Sequence, residues 1–291
     1  MRLGESRLLG YVFVAPAVLL LAALILGPLV YSAVLSLYSW RLTEINLPKD
    51  FTGLANFREI GSDEVFGRAL RNTFVFVGAA VTVELVLGFV VALAVFNINR
   101  GRRLANAIIL LPMITTPVIV ALVWRYLLDP QFGLVNYLVG EAGYDREIAW
   151  LSSESLALPS IVLVDVWQWT PFVILVLHAG MLSIPDELLE AARVDGAGPW
   201  QLVRRVIIPY LMPLVLLVLL FRTMDTYRLF DTVYVLTQGG PGLATETVGL
   251  YTYRSGFIYF EMGYALALSL IVLAIIVVIS AFYLRLLRRR A

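Results

Sequence analysis

Two short polar stripes interrupt otherwise apolar stretches of this 291-residue chain. In the first, Asp165, Gln168, Trp169 and Phe172 recur at i, i+3, i+4 and i+7, so a helix places an acid, an amide and two rings on one face. In the second, Arg222, Asp225, Thr226 and Leu229 repeat the spacing, with Arg228 and Asp231 close by. Acids, amides and arginines pair hydroxyl groups, while flat rings cover apolar faces. Carbohydrates offer both, and the stripes suit a sugar. The competing reading is structural glue, in which Asp165 or Asp225 pairs with Arg222, Arg228 or an arginine of another chain. Glu84 stands alone in its stretch and reads as a packing or subunit contact. His178, among apolar neighbours, reads as a packed or interfacial histidine.

The rest of the chain says what must hold these stripes. Hydrophobic residues make up 60% and charged residues 15%, with a mean hydropathy of +0.86. A soluble domain carries about 45–50% apolar and about 25% charged residues, and one of this size has too little interior to hide such a surplus. The surplus must face lipid. With no cysteine there is no disulfide framework or thiolate nucleophile, and one histidine makes a metal centre a poor expectation; none is assigned. A net charge of +1 argues against a nucleic-acid partner. Lys49, the sole lysine, follows Pro48 rather than a glycine, which excludes a GxxxxGK[ST] phosphate loop. If ATP is used, another chain binds it.

Crossing the hydrocarbon core takes about 20 apolar residues. Six runs qualify, with approximate spans 11–35, 72–97, 104–128, 156–181, 208–236 and 262–285. The fold class is therefore an all-α membrane protein of six transmembrane helices, one domain over residues 1–291. Arginine sets the orientation: Arg100, Arg102 and Arg103 fall between the second and third spans, and Arg285, Arg288, Arg289 and Arg290 at the end. By the positive-inside rule both termini are cytoplasmic. The outer loops are aromatic, and Gly239-Gly240-Pro241-Gly242 reads as a helix stop.

One inner segment, 185–209, is long for a simple connection. It reads as two short helices, the first opened by Pro185-Asp186-Glu187 and ended by Gly196, Gly198 and Pro199, the second from Trp200 to Val206. On the first, Leu188, Ala191, Ala192 and Asp195 share a face whose small residues admit close approach by another protein. Four acids against three arginines make the segment a poor fit to an anionic lipid surface. Docking to a protein is the better reading.

These residues carry a resemblance. Glu190-Ala191-Ala192, then Gly196, then Val206-Ile207-Ile208-Pro209 resemble the EAA loop of permeases of ATP-binding-cassette (ABC) importers, whose pattern is EAA, three residues, G, nine residues and I-x-L-P. Val206 and Ile208 stand where Ile and Leu are usual. Val14 to Ala17, Leu110 to Pro112, the Phe132-Gly133-x-x-Asn136 motif and Leu236 to Gly242 extend the likeness to the sugar branch, and specifically to its maltose-type first permease.

The resemblance implies a transport subunit rather than an enzyme, with no cofactor in this chain and ATP with magnesium held by a separate ATPase. Implied partners are a second, homologous permease in a pseudo-twofold heterodimer, two copies of the cytoplasmic ATPase, and an extracytoplasmic substrate-binding protein, in the plasma membrane of a bacterium or archaeon. Glu190, Ala191, Ala192, Asp195 and Gly196 are the implied ATPase-coupling residues. Aligned through Thr170 to Phe172 and Thr237 to Pro241, the family's sugar contacts fall on Asp165, Gln168, Trp169 and Phe172, and on Arg222, Asp225, Thr226 and Leu229. The Arg222 to Asp231 stretch looks closest to importers of α-linked disaccharides such as trehalose or maltose. Glycerol 3-phosphate and its diesters are the alternative, since Arg222 or Arg228 suits a phosphate. A stand-alone carrier, whose folds are often built from internal repeats not found here, and an intramembrane protease with Asp165 and Asp225 as its dyad are weaker competitors.

Overall fold

The computed structural model describes residues 3–43, 50–98, 101–143 and 148–289. Lys49, Arg100 and Arg290 lie outside the described residues, as do the side chains of Arg102 and Arg103. Among the described residues, five helices are long and apolar enough to cross a membrane, and a bent pair makes a sixth if it counts as one span. The chain divides into two compact units, residues 1–63 with 252–273 and residues 64–251 with 274–291.

In the first unit, α1 (Leu3–Leu35) runs into a two-stranded antiparallel ribbon, β1 (Tyr38–Ser39) and β2 (Asp50–Phe51), with Tyr38 opposite Phe51. Their rings meet edge to face at 5.3 Å. The window of α1 most able to span has none of its residues buried, although its mean hydropathy is 2.6. Such a helix needs lipid or another chain around it. On α2 (Ala55–Ser62), Asn56 donates from Nδ2 to the carbonyls of Ser36 (2.7 Å) and Tyr38 (3.2 Å), fixing the ribbon to the helix. At the start of α13 (Met262–Arg288) the Tyr264 hydroxyl hydrogen-bonds the Asp63 carboxylate.

The second unit holds both stripes. Its frame is α3 (Glu64–Phe96) packed on α7 (Ala157–Leu182), with α10 (Ile208–Thr226) against both. Glycine allows the close approach. A Cβ on Gly88 would stand 2.6 Å from Val173 Cγ1, and one on Gly180 would strike Leu211 and Leu214. At 33 residues α3 is about 50 Å long, well beyond a hydrocarbon core of about 30 Å. It begins at Glu64, earlier than the expected 72, because Phe66 and Ala69 are buried and extend its inward face past the apolar run.

The third expected span is broken. Helices α4 (Arg102–Ile114) and α5 (Pro117–Leu127) meet at a 99° bend. Pro117 cannot donate to the helix ladder and drives Thr116 extended, at φ −63° and ψ 141°. The freed Thr115 carbonyl accepts a 3.0 Å hydrogen bond from Gln168 Nε2 on α7. The fifth expected span, 208–236, also divides: α10 ends at Thr226, and α11 (Asp231–Leu236) is a separate short helix. Between them the Leu229 carbonyl leaves the ladder and accepts from the Thr247 hydroxyl at 3.2 Å.

The segment after α7 is helical as its residues require. Helix α8 (Asp186–Val194) keeps two acids in its first turn, α9 (Pro199–Leu202) starts on its proline, and a π-helical turn, Val203–Ile207, joins α9 to α10. Leu189 is the buried residue of α8 and joins the cluster of Ile184, Ile207 and Leu211, a burial that contributes about 1.5–3 kcal/mol. Tyr210 Oη also donates to the Ser183 carbonyl at 3.0 Å, which ties α10 to the start of this segment.

Candidate functional site

Arg222 on α10 is the centre of the charged residues in the second unit. Its guanidinium is 2% exposed and meets three carboxylates. Nε and Nη2 donate to the two oxygens of Glu84 on α3, at 2.6 and 2.7 Å. Nη2 also reaches Asp165 Oδ2 on α7 at 2.8 Å, and Nη1 reaches Asp225 Oδ2 at 2.9 Å. Arginine alone among side chains presents a planar fork able to serve a bidentate carboxylate and two further acceptors at once. The arrangement joins three helices through one side chain. Removing Arg222 from such an interior would leave the buried carboxylates Glu84 and Asp165 without their cation.

The first stripe is split in its roles. Asp165 and Gln168 are buried, the former on Arg222 and the latter on the Thr115 carbonyl. Trp169 lies under the Arg222 guanidinium, 5.0 Å from ring centroid to Cζ, a cation–π contact. Trp169 and Phe172 then line a cavity of 320 Å³ with Phe221, Arg222, Met224, Asp225 and Arg228. A second cavity, of 260 Å³, shares Trp169, Asp225 and Arg228 and adds Pro117, Asp165, Thr226, Leu229, Phe230, Asp231 and Thr232. The second stripe therefore comes together with the first. Asp225 is half exposed, and Arg228 Nη2 stands 3.8 Å from its other oxygen. Thr226 Oγ1 is buried without a hydrogen-bond partner among the described residues.

Sequence spacing missed Glu84 as a member of this cluster, because Glu84 and Arg222 are 138 residues apart and share no periodicity. It also passed over Phe221 and Met224 as lining, although both lie within four residues of Asp225 on the same helix. Asp165 and Asp225 take different nitrogens of one guanidinium. Acids salt-bridged to a common arginine do not form the proton-sharing dyad of an aspartyl protease. His178 is buried on α7.

The flanking motifs build loops. Asn136, on α6 (Leu134–Glu141), donates to the Pro130 and Ile148 carbonyls at 3.0 Å each and accepts from Trp150 Nε1 at 2.9 Å. Gly133 has no room for a Cβ against the Asp129 backbone. Beside it the Asp129 carboxylate accepts from the backbone N–H groups of Phe132 and Gln131, which hold it below the usual carboxylate range. After α11, Thr237 and Thr245 share a 2.7 Å hydroxyl hydrogen bond, and Thr245 donates to the Gly240 carbonyl.

On α8 the face with the small residues is open. Leu188, Glu190, Ala191 and Asp195 are exposed and Ala192 is half-buried, while Gly196 ends the helix at φ +83°, where a side chain would be strained. Val194 and Trp200 are 87% and 71% exposed beside them.

A multi-pass helical membrane protein with a charged, aromatic-lined interior and an exposed helix pair at one connection is the class these features define. The chain belongs to the family of binding-protein-dependent transport system inner membrane components, which matches residues 65–291. It is 34% identical to the trehalose transport system permease protein SugA of Mycobacterium tuberculosis, over 98% of this chain and 90% of that one. Identity to the trehalose/maltose transport system permease protein MalF of Thermococcus litoralis is 32%, over 94% and 90%. A solved bacterial alginate ABC transporter contains a chain that superposes with a TM-score of 0.84 at 23% identity, covering 98% of this chain and 96% of that one. These relatives are transport permeases, not enzymes.

Proposed function

We propose that this chain forms, with a second and homologous permease, the membrane pathway of an ABC importer for a neutral sugar, an α-linked di- or oligosaccharide such as trehalose or maltose. The observation that carries the reading is the cavity wall of Trp169, Phe172 and Phe221 with Asp225 and Arg228 at its edge. Rings cover the flat face of a pyranose, and the acid and the guanidinium pair its hydroxyls. Thr226, whose buried hydroxyl has no partner among the described residues, and Leu229 continue that wall. Asp165, Arg222 and Gln168 contribute from behind it, each already holding a partner. The trehalose and maltose transport named for the relatives supports the same substrate class.

In this reading both termini are cytoplasmic and residues 1–291 act as one transmembrane domain. Helix α8 then faces the cytoplasm. Glu190, Ala191, Ala192, Asp195 and Gly196 dock into a separate ATPase, present in two copies, which binds ATP and magnesium. Closure of the ATPases pulls on α8, and the π-helical turn at Val203–Ile207 passes the displacement to α10 and so to the cavity wall. An extracytoplasmic binding protein delivers the sugar. The complex sits in the plasma membrane of a bacterium or archaeon.

The test is ATP hydrolysis by the complex reconstituted in liposomes with its binding protein, given trehalose, maltose, a longer maltooligosaccharide or glycerol 3-phosphate. Stimulation by a neutral sugar is expected. Stimulation by glycerol 3-phosphate alone would move the substrate to the phosphate class, for which the exposed Arg228 is the available cation.

A further inference from the structure

The cluster around Arg222 does more than neutralise charge, because each guanidinium nitrogen has a different task. Glu84, fully buried on α3, accepts from Nε and Nη2 in a bidentate pair. A carboxylate bound in that way fixes both the position and the plane of the fork. Two consequences follow from the fixed plane. The guanidinium carbon is held over the Trp169 ring, and Nη1, the nitrogen that Glu84 leaves free, donates to Asp225 Oδ2. Trp169 and Asp225 line both cavities, whereas Glu84 lines neither. Asp165 adds a second acceptor on Nη2 from α7, so the fork is held from two helices, and its remaining nitrogen serves Asp225 at the cavity wall.

We propose that Glu84 is a positioning residue for the sugar site: acting through Arg222, it sets the orientation of the Trp169 ring and the Asp225 carboxylate at the cavity wall. The assignment rests on the sugar reading above. It gives Arg222 an indirect part, since its polar edge is committed to carboxylates, and it leaves Asp225, Trp169 and Arg228 as the groups that meet substrate. A pure packing role for the cluster would affect how much folded protein is made and leave the affinity of the assembled transporter alone.

The experiment is sugar uptake by the whole transporter in liposomes with its binding protein, comparing wild type, Glu84→Gln, Asp225→Asn and the double variant. Saturable uptake by wild type tests the sugar reading separately, before any variant is compared. Glu84→Gln keeps the shape of the side chain but replaces one acceptor oxygen with a donor facing the guanidinium. We expect the half-saturating sugar concentration to rise roughly tenfold for each single variant and by less than the product of the two in the double variant, because Asp225 is one of the two groups that Glu84 positions. Glu84→Asp keeps the charge but falls short of the fork, and it carries the same test if the amide variant does not assemble. Additive effects in the cycle, or an unchanged half-saturating concentration alongside a loss of assembled transporter, would overturn the proposal.

Discussion

Helix α8 and the cluster around Arg222 use the same residue types and expose them oppositely. On α8, Glu190 and Asp195 face outward, and Leu189 alone is buried. Around Arg222, Glu84 and Asp165 are buried and every guanidinium nitrogen has an acceptor. An exposed acid is free to find a partner on another chain and adds little to the fold that carries it. A buried one belongs to the fold, and its partner must come from the same chain. The contrast separates an exposed acidic surface, the proposed ATPase contact, from an interior that shapes a cavity.

Arg222→Met gives the largest expected effect, since it leaves three carboxylates without their cation. The loss is about 3–5 kcal/mol, enough to lower the melting point and the yield of folded protein sharply. Thermal melting of the purified complex checks it, and a melting point near wild type would mean that the cluster does not join α3, α7 and α10. On α8 the opposite pattern is expected. Gly196→Pro sits at φ +83° with nothing within 4 Å of an added Cβ, and proline cannot adopt that φ. Folded protein should be recovered, ATP hydrolysis should persist, and uptake should fall roughly tenfold or more as coupling is lost. Uptake at wild-type rate would remove α8 from the coupling path.

Smaller effects sharpen the frame. Gly88→Ala forces a methyl group against Val173 and should cost about 1–3 kcal/mol in melting experiments. Asn136→Ala takes the Asn136 side chain from the Pro130 carbonyl and the Trp150 indole and one of two donors from the Ile148 carbonyl, at about 1–3 kcal/mol, with sugar affinity unchanged. Arg41→Ala, which removes an exposed 3.5 Å pair with Glu261, should shift stability by less than about 1 kcal/mol.

The sequence displays the α8 segment because its signal is local: an acid-rich first turn, small residues on one face, then glycine and proline within a single stretch. Apolar runs of about 20 residues are equally plain, since lipid imposes one length on all of them. Breaks within those runs are harder to see. Pro117 announces the bend between α4 and α5, yet the amide that satisfies the bend, Gln168, comes from a helix about fifty residues later. The division between Thr226 and Asp231 depends on a hydroxyl from Thr247 that no periodicity reveals. For the same reason the two stripes were visible as stripes, and their union through Glu84 was not. A helix face records which residues point together, but not which residue of a distant helix they meet.

Uptake of a labelled α-linked disaccharide by the reconstituted transporter, with its binding protein outside, is the most direct measurement of the account. Vesicles loaded with ATP and magnesium are compared with vesicles holding a non-hydrolysable analogue and an imposed ion gradient. The account predicts accumulation with hydrolysable ATP alone. Accumulation driven by the gradient without hydrolysis would contradict it, making the pathway that of a carrier and leaving the exposed face of α8 without a coupling role.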